Sequence, residues 1–118
     1  MNTYKAIAED TLYGAKVETF AKTSAGVIQQ ASSQRIEQLF NEGLGLIGYF
    51  GHSSANTFEF NLSSPEIYNN AGKYPFFNVS GCSAGNFYVF DPLRTGGNMT
   101  LSEKYVLAPQ RGSIGFLA

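Results

Sequence analysis

Tryptophan is missing altogether from these 118 residues, cysteine and histidine occur once each, and charged side chains make up only 14% of the chain. Each shortage excludes something. A lone cysteine, Cys82, cannot close an intramolecular disulfide, and with His52 as the only histidine a Cys/His zinc site of about four ligands cannot be assembled. The residues therefore imply no metal and no cofactor. Lys and Arg total 8 against 9 for Asp and Glu, and the basic residues are scattered, so a nucleic-acid footprint is not expected. No stretch approaches the roughly 20 apolar residues of a membrane span, and Met1 to Lys5 lead into no signal-peptide core. What remains is apolar: 43% hydrophobic and 14% aromatic, the balance of a chain that folds around a buried sheet. The length suits one domain or part of a larger one. It also sets a tension, because a chain of this size hides only about two-thirds of its unfolded surface while a parallel sheet needs cover on both faces.

Along the chain, Val17 to Lys22 alternates as a strand would. Ser32 or Ser33 can cap a helix over Gln34 to Asn41, where Ile36, Leu39 and Phe40 share a face and Gly43 offers a C-cap. Leu44 to Phe50 is an apolar run broken only by glycines, the pattern of a strand covered on both faces. It stops at Gly51-His52-Ser53-Ser54. Ser64-Pro65-Glu66 opens a short helix to about Asn70. Phe76 to Val79 is a second buried strand, stopping at Ser80-Gly81-Cys82-Ser83, and an aromatic run, Phe87 to Phe90, precedes a turn-rich loop from Asp91 to Gly97. Thr100 and Glu103 have capping-box spacing for a helix to Leu107, and Gly112 to Ala118 reads as a last strand. Strands alternating with helices predict an α/β fold with a mostly parallel sheet of about four strands and three helices.

Gly43-Leu44-Gly45-Leu46-Ile47-Gly48 matches the dinucleotide fingerprint letter by letter, but in reversed context. That fingerprint follows a strand and opens a helix, whose N-terminus faces the pyrophosphate. Here the glycines follow a helix and open a strand, so they read as a cap and close sheet packing. The matches to the glycosylation sequon at Asn61, Asn78 and Asn98 are chance by the same contextual test, since Asn78 falls in a core strand.

The sharper signal is that the only histidine and the only cysteine each follow a predicted core strand directly. Ligands of open α/β sheets bind beyond the carboxyl ends of the strands. If the strands ending at Phe50 and Val79 are parallel neighbours, His52 and Cys82 face one cleft as a nucleophile and its base. The plainer alternative is a buried cysteine acting as a small hydrophobe beside an incidental histidine.

Several blocks in order, Gly48-Tyr49-Phe50-Gly51-His52-Ser53, Tyr74-Pro75, Ser80 to Phe87, Leu101 to Leu107 and Gly112 to Phe116, resemble the gingipain-type cysteine peptidases over residues 35–118. The resemblance implies a caspase-like three-layer sandwich, incomplete at this length, with Cys82 as nucleophile and His52 as general acid/base. It further implies an oxyanion hole made by the backbone N–H groups of Cys82 and Ser53, and a protein or peptide substrate. A bacterial cell-surface or secreted location goes with the family. Phe58, Phe87 and Tyr88 are candidates to line a substrate pocket, while Glu103 reads as a helix cap. Where the family has glycine after the histidine this chain has Ser53, which keeps the N–H without glycine's freedom at positive φ. Where the family has a tryptophan, Phe58 is the nearest aromatic. The resemblance also admits a non-catalytic relative, a secretion or surface-assembly module with a vestigial dyad. Residues 1–118 are expected to form a single unit that is a fragment of a larger domain, with an uncovered sheet edge through which copies could self-associate.

Overall fold

The computed structural model describes residues 2–22, 30–58, 62, 64–88 and 99–118. Helix α1 (Asn2–Ala8) is followed by α2 (Gln30–Glu42), strand β1 (Leu46–Phe50), a 3-10 turn at Pro65–Ile67, strand β2 (Phe76–Ser80), helix α3 (Leu101–Leu107) and strand β3 (Gly115–Leu117). The strands form one parallel sheet in the order β1-β2-β3, with Leu46 opposite Phe76, Phe50 opposite Ser80, and Phe76 opposite Gly115. The α/β class and the parallel sheet agree with the sequence reading; three helices occur among the described residues, as many as expected, but α1 is one that the sequence reading did not place, and the whole is consistent with an incomplete caspase-like sandwich.

Alternation along a strand divides the sheet into two faces. Ile47, Tyr49, Phe77, Val79 and Phe116 lie on the face that carries the core. The ring of Phe77, fully buried, stands 4.5 Å from Tyr105 of α3, 5.2 Å from Phe116 and 6.3 Å from Phe40 of α2, and Phe40 stacks on Tyr68 at 3.8 Å. Ile36, Phe58, Leu62, Ala84 and Leu101 belong to the same cluster. Asn70, also fully buried, binds like a piece of backbone: its Nδ2 donates to the carbonyls of Lys73 and Gly112, and its Oδ1 accepts from the Gly112 N–H. Gly112 is required there, since its φ is +88° and a Cβ would run into the Tyr105 carbonyl.

The opposite face carries Leu46, Phe50, Phe76 and Leu117, and it is open: Phe50 is 83% exposed and Leu46 64%. The expectation that the β1 run is covered on both faces is therefore corrected. The order β1-β2-β3 advances in one direction, and right-handed crossovers that advance one way all return over the same face. The crossover helix α3 consequently lies beneath the sheet, and α2, which precedes β1, packs its Phe40 into the same core from that side.

Other expectations shift as well. Residues 17–22 form no strand; this segment is tied instead to α2 by the Arg35 guanidinium, whose Nε donates to Glu18 at 2.9 Å, while Phe20 leans on the core. Arg35 holds the Glu18 carboxyl below its usual range. Only three strands are present among the described residues, not four. Helix α2 starts at Gln30, upstream of the expected serine caps, and ends as expected at Gly43, whose N–H donates to the Leu39 carbonyl. The helix expected from Ser64 to Asn70 shrinks to the Pro65–Ile67 turn. The capping box holds, with the Thr100 N–H donating to Glu103 at 2.9 Å. Val89, Phe90, the loop from Asp91 to Gly97, and the sequon residues Asn61 and Asn98 lie outside the described residues.

Candidate active site

Strands β1 and β2 are parallel neighbours, the condition on which a shared cleft depended. Their register makes the placement of the two candidate residues symmetrical. Phe50 pairs with Ser80, and the Gly51 N–H extends the ladder to the Ser80 carbonyl at 3.2 Å. His52 and Cys82 then each stand two residues beyond the last pair, on strands whose backbones run about 4.8 Å apart. Both side chains are exposed at the carboxyl edge of the sheet, and Cys82 is a free thiol.

The turns that carry them are fastened together. The Ser53 hydroxyl donates to the Cys82 carbonyl at 2.9 Å. Gly81 makes room for this approach, because a Cβ there would collide with the Ser53 hydroxyl and press on the Gly51 carbonyl. Ser53 lies outside the left-handed region, so replacing the family glycine by serine needs no strained backbone at this position. Strain appears one residue past the cysteine instead: Ser83 has φ of +57°, a conformation that only its surroundings can hold in a residue with a Cβ. The Asn86 N–H donates to the Ser83 carbonyl at 3.0 Å and closes that turn.

The histidine turn is anchored from below. Tyr49 is buried in β1, and its hydroxyl donates to the His52 carbonyl, so the core itself fixes the backbone of the histidine. Next, Ser54 folds residues 54–57 into a tight turn: its Oγ accepts from the N–H groups of Asn56 and Thr57, each at 3.1 Å. The Ala55 carbonyl then accepts the first N–H of α3, from Leu101, at 2.7 Å. Sequence reasoning left Ala55 unmarked and had Tyr49 only as part of the block around His52, with no role of its own. The only available signal was the glycine at 51, on which a Cβ would touch the Tyr49 hydroxyl.

The three pocket candidates part company. Phe58 bridges to Ser53 and is buried against Tyr49 at 4.5 Å, in the core beneath the sheet. Phe87 and Tyr88 remain open, 48% and 81% exposed, with ring centroids 4.0 Å apart. Phe87 lines a shallow groove of about 250 Å³ together with Val106 and Leu107 of α3 and with Phe116. Glu103 borders that groove while serving its helix cap. No cluster of side chains suited to a metal ion occurs among the described residues, and no described helix is long and apolar enough to cross a membrane.

Comparison with known proteins decides the family. A family model described as peptidase family C25 matches residues 1–118. The chain belongs to this family, the gingipain family. The C25 match extends the resemblance from residue 35 back to the first residue. Family C25 is one of cysteine peptidases, which act on proteins, and its members are typically extracellular or held at the cell surface. No curated protein and no solved structure matches the chain.

Proposed function

We propose that the protein is the catalytic part of a cysteine endopeptidase in which Cys82 is the nucleophile and His52 the general acid/base. The observation that carries this reading is the symmetry of the site: the only histidine and the only cysteine stand equally far beyond paired residues of adjacent parallel strands, in turns joined by a hydrogen bond. In the proposed reaction the His52 imidazole takes the Cys82 thiol proton, and the sulfur attacks the carbonyl carbon of the scissile peptide bond. The tetrahedral oxyanion is stabilised by the N–H groups of Cys82 and Ser53. Collapse expels the amine, protonated by His52, and leaves a thioester at Cys82. Water, deprotonated by His52, then hydrolyses the thioester and regenerates the thiol.

The exposed rings of Phe87 and Tyr88, five and six positions after the nucleophile, are the aromatic contacts offered to a substrate, while Phe58 serves packing. The proposed setting is the bacterial cell surface or the medium beyond it. The proposed partners are a protein or peptide substrate and, through the outer edge of β1, a second copy of the chain, since that edge has no partner strand among the described residues and such an edge is a template for pairing. The second reading, a non-catalytic module of a surface assembly, rests on the departure from the family pattern at Ser53, where the family has glycine.

Hydrolysis of an unfolded protein substrate separates the two readings. The peptidase reading expects turnover that falls by a factor of about a thousand or more in both Cys82→Ala and His52→Ala, as loss of a nucleophile or its base does. Equal, undiminished cleavage in Cys82→Ala would overturn it. No cleavage by the unsubstituted chain would favour the assembly module.

A further inference from the structure

Among the described residues the closest tie between the two catalytic turns is a side chain that the family pattern does not supply. We propose that Ser53 is a positioning residue: by holding the carbonyl of Cys82, its hydroxyl fixes the peptide that follows the nucleophile and so keeps the sulfur aligned with His52. The inference rests on the peptidase reading above. Three observations carry it. The first is the hydrogen bond itself, Ser53 Oγ to the Cys82 carbonyl at 2.9 Å. The second is the space reserved for it, because Gly81 is the neighbour whose Cβ would displace that hydroxyl, and Gly81 has no positive φ to account for its lack of a side chain.

The third is the left-handed conformation of Ser83. A residue with a Cβ relaxes out of that region unless the peptides on both sides are held. The Asn86 N–H holds the far side through the Ser83 carbonyl. The near side is the Cys82–Ser83 peptide, and Ser53 holds its carbonyl. A peptide is planar, so fixing this carbonyl fixes the orientation of the Ser83 N–H and limits the rotation of the Cys82 backbone from which the thiol is presented. Serine at position 53 thus keeps the oxyanion N–H that glycine would offer and adds a latch that glycine lacks.

The latch can be broken from either side, and the thiol reports on it. Cys82 is the only cysteine, so alkylation by iodoacetamide, followed by mass from about pH 5 to about pH 9, where imidazole and thiol titrate, reads this one group. Ser53→Ala removes the hydroxyl, and Gly81→Ala forces it away without changing Ser53. Each should slow alkylation near neutral pH by roughly tenfold, the scale of one lost hydrogen bond, and move the pH profile toward that of His52→Ala. Circular dichroism and the melting temperature should stay near those of the unsubstituted chain. The double variant should be no slower than either single one, because both act on the same bond. Should one variant fold poorly, the other remains the test. Unsubstituted rate and profile in the folded variants, or additive losses in the double variant, would overturn the latch while leaving the dyad standing. An unsubstituted chain whose profile equals that of His52→Ala would overturn the dyad itself, and the latch with it.

Discussion

The two faces of the sheet are made by the same strands with the same alternation, and they meet opposite fates. Beneath, Tyr49, Phe77, Val79 and Phe116 enter a cluster of rings closed by α2 and α3. Above, Leu46, Phe50, Phe76 and Leu117 are exposed, although their hydropathy is as high. Composition along a strand therefore says that a face is apolar, while the direction in which the strands are added decides which face is covered. The proposed catalytic residues stand where this distinction stops mattering, at the strand ends, and His52 is held from the covered side, through the Tyr49 hydroxyl.

The contrast can be broken most severely from below. Phe77→Ala removes the ring shared by Phe40, Tyr105 and Phe116, and denaturant unfolding should show a loss of about 3 to 5 kcal/mol or no folded protein. A loss below about 1 kcal/mol would mean that the ring cluster is not what supports the sheet. Asn70→Ala strips the Gly112 N–H and two carbonyls of their partner, with an expected loss of about 1 to 3 kcal/mol by the same measurement.

The core should also respond to alkali. Burial pushes the Tyr68 hydroxyl up from 10.0 to about 12 and raises that of Tyr105 further. The folded state thus holds these protons more tightly than the unfolded chain. The stability that Tyr68 confers in this way is complete below about pH 10 and is lost as pH rises through about 12. Melting temperatures should fall across that window, and less steeply in Tyr68→Phe. An equal fall in the variant would deny Tyr68 this role.

From above, the same chemistry should give the smallest change. Phe50→Ser alters an exposed ring, so monomer stability should move by no more than about 0.5 kcal/mol. Self-association through the β1 edge should weaken, since this ring borders it. Sedimentation that shows only monomer over a wide concentration range, with or without the substitution, would contradict the edge contact.

How much of this was legible in the sequence follows from the range of the interactions. The two strands that carry the candidate site announced themselves as short apolar runs cut off by small polar residues, and the placement of His52 and Cys82 at one sheet edge followed from their ends. Parallel pairing of β1 and β2 needed only the alternation of strands and helices. The extended reading of residues 17–22 rested on six residues of alternation, and an ion pair from Glu18 to Arg35, seventeen positions away, replaced the ladder. Helix α1 carries Lys5, which pairs with Glu9 at 3.8 Å, and exposed apolar residues such as Tyr4 and Ile7, which mark no inward stripe. Asn70 was illegible because its partner Gly112 lies 42 positions away. Ser53 was legible as a departure from the family pattern, but its hydrogen bond to Cys82 needed the register of two strands to appear.

The central claim is that His52 and Cys82 act as one unit at the carboxyl edge of the sheet. The most direct measurement is the rate at which iodoacetamide alkylates Cys82 near pH 7 in the unsubstituted chain and in His52→Ala. The account predicts fast labelling that drops at least roughly tenfold without the imidazole, as for a thiolate that depends on its base. Slow labelling that is the same in both proteins would contradict it.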